Sequence, residues 1–327
     1  MVTLKQEEHY VIVGFGWVGQ ANALALKILG GNVSYFDFAE PQRHYEKEYA
    51  HVYDTLNKLQ SITEVDSSST WYFVCVGDKV SEEGVQDISA IQSALKSLVD
   101  VQGTVVLRST ILPDLLSDLS FTFYVPEFLH EQKAVEECLH PYLFVVGNKP
   151  GVTFEPSAFT IWRTHARKVF KGTPREASFV KYLSNIWNAT RIAFTNEFGD
   201  SIAVPKTKEE LMGIEKVVDF VLDKEPYLRY GRSFGGHCLP KDTRAFRAWF
   251  QNKGLSLPLL SGVYESNTLH RRIEEQYPIM PEWYSQWPDA HLSGKKAFSE
   301  LLYAIKKHIS RPTLVLKLLG ITVKDRT

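Results

Sequence analysis

The sequence predicts an α/β protein in which an N-terminal doubly wound parallel sheet is followed by a second, mainly helical domain. Three observations lead there. Short apolar runs alternate with helical stretches through the first half of the chain, a glycine-rich turn separates the first run from the first helix, and strand signals almost vanish beyond about residue 174. A chain of 327 residues suffices for two ordinary domains. The boundaries read here are 1–174 for the sheet domain, 175–270 for the helical domain and 271–327 for a short C-terminal segment.

The first run, Tyr10 to Val13, ends in Gly14-Phe15-Gly16, and Val18 to Leu29 then repeats apolar residues at helical spacing: strand, turn, helix. A second strand, Asn32 to Phe38, carries Asp37 near its end. Further strands are expected at Trp71 to Val76, Thr104 to Leu107, Phe121 to Val125 and Leu143 to Val146, with helices such as Ile88 to Leu98 between them. From Pro174 to about Ala203 the spacing predicts one long helix with Phe179, Tyr182, Leu183, Ile186 and Trp187 on its apolar side. The turn Tyr230 to Gly236 interrupts the helical region, and a helix restarts near Pro240, since proline is tolerated in a first turn. Beyond His270 the prolines at 278, 281 and 288, set among aromatics, indicate an irregular packed segment before a helix from Gly294 to His308.

Lys and Arg total 37 against 38 Asp and Glu, so no overall field would gather nucleic acid or an acidic membrane, and a small molecule is the expected partner. Neither a signal peptide nor a stretch of transmembrane length is visible, which points to a cytoplasmic protein. The cysteines at 75, 138 and 238 match no disulfide framework and no zinc pattern, so no metal is expected.

Gly14, Gly16 and Gly19 form G-x-G-x-x-G directly after a strand and at the opening of a helix, with Phe15, Trp17 and Val18 between them. In a Rossmann-type sheet the first glycine permits the turn and the second lets a pyrophosphate approach. The third lets helix and strand pack closely. Asp37 ends the second strand, where a carboxylate can accept from both adenosine ribose hydroxyls and repels a 2′-phosphate, favouring NAD over NADP. Alternatively, three glycines make only a tight turn and Asp37 is solvated, or the fold carries FAD; the motif names a ligand class and not a reaction.

Cys238 follows two glycines, Gly235 and Gly236, and precedes a helix, so the helix N-terminus and Lys241 are expected to favour thiolate. A lone cysteine is more often buried packing, the assignment given to Cys75 and Cys138. Lys181 and Asn185 lie four apart on the long helix and could hold an oxyanion, although such a pair alone is usually a solvated face. Glu127 and Glu131, with Phe128 and Leu129 between them, follow a strand end where doubly wound sheets put their sites; surface acids are the bland alternative. Ser109 and Thr110 close another strand at the same expected edge.

In combination these segments resemble the nucleotide-sugar 6-dehydrogenases, the UDP-glucose and GDP-mannose dehydrogenase family. The matching motifs are Gly14 to Gly19, Arg108-Ser109-Thr110, Pro126-Glu-Phe-Leu-His-Glu131 with His140-Pro141, Lys181-Tyr-Leu-Ser-Asn185, Asn196-Glu197 and Phe234-Gly-Gly-His-Cys238-Leu-Pro-Lys-Asp242-Thr243, spanning about residues 10 to 270. The resemblance implies that a sugar C6 alcohol is oxidised twice at the expense of two NAD, with UDP-glucose to UDP-glucuronate the first candidate. It implies Cys238 as the nucleophile that forms a thiohemiacetal and then a thioester, Lys181 and Asn185 at the oxyanion, and Asp242 close to Lys181. Glu131 and Thr110 would position water, and Glu131 would also adjoin cofactor and substrate. Val76, Gly77, Ser109, Thr110 and Lys241 would line the cofactor, and Glu127, Phe128, Leu129, Tyr227, Tyr230 and Gly235 the substrate. It further implies a homodimer through the long helix.

Two departures stand out. Val74-Cys-Val-Gly77-Asp78 replaces the family's usual threonine-proline after the third strand, and no second doubly wound domain follows residue 270. A β-hydroxyacid dehydrogenase, oxidising once without a cysteine, and a catalytically silent binding protein therefore remain alternatives.

Overall fold

The structure is a computed structural model that describes residues 3–225 and 227–282; the helix expected from Gly294 to His308 lies outside the described residues. Along the chain run β1 (His9–Val13), α1 (Trp17–Ile28), β2 (Asn32–Phe36), α2 (Glu46–Tyr53), β3 (Asn57–Lys58), β4 (Thr70–Val74), β5 (Lys79–Val80), β6 (Gln86–Asp87), α3 (Ser89–Lys96), β7 (Thr104–Leu107), β8 (Phe123–Tyr124), α4 (Ala134–Leu139), β9 (Leu143–Asn148), α5 (Ser157–His165), β10 (Lys168–Gly172), α6 (Pro174–Ile202), α7 (Lys208–Leu222), α8 (Cys238–Gln251) and α9 (Pro258–Gln276). The main sheet has the order β10-β9-β8-β7-β4-β1-β2-β3, and β5 and β6 form a separate hairpin. No strand follows Gly172 among the described residues.

Side chains alternate across the sheet. Tyr10, Ile12 and Phe73 join Phe159 and Trp162 of α5 in one core, while Val11, Val13, Tyr72 and Val74 join Ile91 and Leu95 of α3 in the other. Both faces are thus dry, as helices on both sides of a parallel sheet require. The sheet is largely parallel, but β8 and β9 pair antiparallel. The six-residue α4 spans only about 9 Å, too short to carry the chain back across the sheet, so β9 starts at the edge where β8 ends. Strand β10 escaped the sequence reading because it is an edge strand, its Lys168 and Lys171 facing solvent and leaving no apolar run.

Register brings the site together. Val13 pairs with Phe36 and with Val74, Val74 with Leu107, and Leu107 with Tyr124, so four strands finish level with β1 or one another. The residues that follow them, Gly14, Asp37, Val76, Ser109 and Glu127, therefore crowd one edge.

Helix α6 opens with Pro174 after a capping box between Thr173 and Glu176. Its expected single apolar side is corrected by the structure: Tyr182 is buried, but Leu183 is 70% and Trp187 57% exposed. The buried side is built from small and polar residues, among them Ala177, Ser178, Lys181, Asn185 and Gly199, because α6 passes over the sheet edge with α8 and α9 packed against it.

Candidate functional site

Strand β1 lies between β2 and β4, so the strand order reverses there and a crevice opens at the carboxyl ends. Gly14 has φ +86°, and a Cβ on it would meet the Val76 side chain at 3.0 Å. A Cβ on Gly19 would sit 1.9 Å from the Gly14 carbonyl oxygen, whereas one on Gly16 meets nothing within 4 Å. The three glycines thus divide into turn, open approach and close packing, and the open one caps α1, whose first turn carries no acid. Asp37 accepts the Phe15 amide at 2.7 Å and the Ala39 amide at 3.0 Å, which presses its carboxylate against the glycine turn. Trp17 is exposed beside it, stacked on His44 at 4.0 Å, while Val18 packs against the core. Ser109 Oγ donates to the Val76 carbonyl at 2.5 Å, tying β7 to β4, and Gly77 has open space around its Cα. This cradle fits a dinucleotide: an unobstructed helix N-terminus for anionic phosphate and a fixed carboxylate at the end of β2 for hydroxyls.

Cys238 is the first residue of α8, and no side chain caps that helix. Across from it α6 presents Lys181, 3% exposed, whose Nζ lies 3.4 Å from Glu127 Oε1 and 5.2 Å above the Phe128 ring. One turn along, Asn185 Nδ2 donates to Asp242 Oδ2 at 2.6 Å, and Asp242 is 1% exposed. Lys241 Nζ contacts Asp242 Oδ1 at 2.9 Å and both Asp78 oxygens, at 2.6 and 2.8 Å. Burial would discharge Lys181, but Glu127, Cys238 and Asp242 hold its pKa above the usual lysine value. Burial likewise opposes the Glu127 charge, yet Lys181, the Leu129 amide and Arg108 keep its pKa below the carboxylate range. A charged, nearly dry pair results.

The expectation of an acidified sulfur is corrected. Cys238 keeps accessible surface, yet protein crowds it enough that desolvation, reinforced by Glu127 and Asp242, outweighs Lys181 and Lys241 and pushes the thiol up to about 11. The helix N-terminus and Lys241 alone suggested the reverse; the burial that dominates, and Glu127 with it, come from packing against distant segments. Cys75 and Cys138 are buried, and burial pushes Cys75 up to about 12, in keeping with packing roles.

Comparison with known proteins adds to this geometry. A family model described as the UDP-glucose/GDP-mannose dehydrogenase family, central domain, matches residues 175–269, the stretch that carries Lys181, Asn185, Cys238 and Asp242. Over residues 175–269 the chain carries this family's central domain. It is 26% identical over 316 residues to a UDP-glucose 6-dehydrogenase of Rickettsia bellii, covering 86% of this chain and 70% of that protein. To a GDP-mannose 6-dehydrogenase of Pseudomonas aeruginosa it is 29% identical over 219 residues, covering 60% of this chain and 50% of that protein. The chain thus spans between half and seven tenths of the length of these relatives. A UDP-glucose dehydrogenase structure from Pyrobaculum islandicum shares the fold, with a TM-score of 0.65 and 23% identity over 80% of this chain and 68% of that one.

Within this matched stretch the loop before the cysteine is fastened by Asn196, already part of a matching motif, and by side chains of α9 that the sequence reading passed over. Asn196 of α6 bonds the Gly231 amide and the Arg232 carbonyl. From α9, Asn267 accepts the Phe234 amide at 2.8 Å, His270 bridges Asp200 and the Gly231 carbonyl at 2.7 Å each, and Glu274 accepts the Ser233 amide and hydroxyl. Positions 267, 270 and 274 share one helix face, a polar stripe that was a usable signal. Tyr230, expected at the substrate, is instead fully buried: its hydroxyl donates to Asp200 at 2.8 Å and its ring lies on Gly199. Tyr227 is buried at φ +67°, hydrogen-bonded to His130, which also holds Glu137. Leu129 is partly buried, its amide on Glu127 Oε2 at 2.7 Å, and Gly235 leads into Gly236 at φ +70°. Thr110 is buried and its carbonyl accepts from Gln86. The backbone of Glu131 opens a short 3-10 turn; its side chain lies outside the described residues. No described helix is long and apolar enough to cross a membrane.

Proposed function

We propose that this protein oxidises a nucleotide sugar at its C6 alcohol to the carboxylate, with NAD as acceptor and UDP-glucose as the first candidate substrate. The observation that carries the reading is the meeting of an accessible Cys238 with Lys181, Asn185 and Asp242, beside strand ends shaped for a dinucleotide. NAD, when bound, supplies the two-electron acceptor for each oxidation. Gly14, Gly16 and Gly19 leave room for its phosphates, and Asp37 takes the ribose hydroxyls and repels a 2′-phosphate. Val76, Gly77, Ser109 and Lys241 complete that wall.

The chain's own chemistry then follows from charge and proton placement. Lys181, kept cationic by Glu127, and Asn185, anchored on Asp242, stabilise negative charge on the reacting oxygen. The first oxidation leaves an aldehyde. Addition of the Cys238 S–H across its C=O forms the C–S bond and moves the sulfur's proton to oxygen, so a thiol protonated at rest brings the proton it must give. Loss of the carbon-bound hydrogen as hydride, which carries the two further electrons, and of the hydroxyl proton yields the thioester. Water held by Thr110 and Glu131 adds to it, the C–S bond breaks, and the thiol regains a proton as the carboxylate leaves. Glu127, Phe128, Leu129, Tyr227 and Gly235 line the sugar side.

The test is stoichiometric. With UDP-glucose or GDP-mannose, the wild-type protein should form two NADH per sugar, and Cys238→Ser should lose the sugar acid almost entirely. Unchanged acid formation by that variant would sink the reading. One NADH per substrate, without a thiol-bound intermediate, would favour the β-hydroxyacid alternative.

The proposed assembly is a homodimer across α6. A groove of 480 Å³ is lined by Leu183, Ile186, Phe246 and Leu257 to Leu260, and Trp187 and Phe194 of the same long helix are exposed, apolar surface that a second copy would cover.

A further inference from the structure

Asp78, in the loop after β4, has no part in the chemistry described so far. Its side chain is 6% exposed, both oxygens hold Lys241, and Gln86 Nε2 donates to Oδ2 at 2.7 Å. Gln86 is itself fixed, accepting the Leu112 amide at 2.9 Å and donating to the Thr110 carbonyl at 3.0 Å. A rigid strut therefore runs from the β7 strand end through Asp78 to α8. Lys241 lies three residues beyond Cys238, on the same side of that helix.

The charged and titratable groups that bear on the sulfur come from every element around it: Lys181 from α6, Glu127 from the loop after β8, Lys241 and Asp242 from α8, and Tyr227 from the loop before α8. Lys181 is engaged by Glu127. Lys241 is the second ammonium, and two carboxylates compensate it at close range. An ammonium clasped this way stabilises a nearby thiolate less than one able to turn toward it.

We propose that Asp78 is a positioning residue, which pins Lys241 against Asp242 and so withholds an ammonium from the Cys238 sulfur. This rests on the reading of Cys238 as the reacting group, but it is tested without turnover. Alkylation of the full chain by iodoacetamide is followed against pH at the Cys238 peptide by mass spectrometry, in wild type, Asp78→Asn, Lys241→Gln and the double variant. Asp78→Asn should lower the midpoint by about one pH unit, making alkylation near pH 8.5 about tenfold faster. In the Lys241→Gln background the same change should have less than about half that effect, because no ammonium is left to release. An unmoved midpoint in folded Asp78→Asn, or an equal drop in both backgrounds, overturns the proposal. Asp78→Ser carries the same expectation should the asparagine variant not fold. Sugar oxidation surviving in Cys238→Ser would defeat the functional reading and leave this charge coupling standing.

Discussion

At the scale of single residues, the site balances desolvation against pairing. Lys181 and Glu127 are both nearly dry, and each is the largest electrostatic support for the other's charge. Removing one charge leaves the other buried and uncompensated, the costly way to break such a pair. Glu127→Gln should therefore destabilise the fold by about 3 kcal/mol in urea unfolding. Because Glu127 also raises the Cys238 thiol, the same variant should alkylate faster than wild type below pH 11; a slower rate would contradict the assigned cause. Cys238, Lys181 and Asn185 were legible as candidates from residue type, spacing and flanking residues, and Asp242 through the family resemblance. The partners that set their charge states were not: Asp78 lies 163 residues from Lys241 and Glu127 lies 54 from Lys181.

At the scale of elements, α6 and α9 act as a frame for the cysteine loop. Gly199 matters because the Tyr230 ring lies against it; a Cβ there would fall 2.0 Å from a ring carbon, with Tyr230 fixed by Asp200. Gly199→Ala should cost about 2 to 3 kcal/mol by forcing ring and helix apart, and should slow the Cys238 reaction by displacing its loop. A melting temperature equal to wild type would show that the loop yields more easily than this contact implies. The long helix was legible from the spacing of its apolar residues between Pro174 and about Ala203. Its orientation was not, since the apolar residues that suggested an inward stripe are divided between core and solvent, and polar residues take the buried side.

At the scale of the molecule, that division is the basis of the proposed dimer. Leu183 and Trp187 stand in water on a single chain, so Trp187→Glu should halve the mass of the particle measured by light scattering. A wild-type protein already monomeric at micromolar concentration would remove the reason for the exposed face. The sheet follows the same logic at larger range: the alternation of apolar runs and helices foretold its parallel half, whereas β10, an edge strand with lysines toward solvent, left little pattern to detect.

By itself the sequence determined what short-range physics can write: a glycine turn between a strand and a helix, an acid at the end of the next strand, helix caps, and a cysteine behind two glycines. Only the tertiary structure decided which charges meet. Strand register aligned residues from the ends of β1, β2, β4, β7 and β8 on one edge, and the packing of α6 and α8 brought Lys181, Asn185, Lys241 and Asp242 around the sulfur. Protonation is governed by burial and by neighbours within a few ångströms, quantities that no local stretch of chain contains, and so the sulfur expected to be acidic is a thiol at rest.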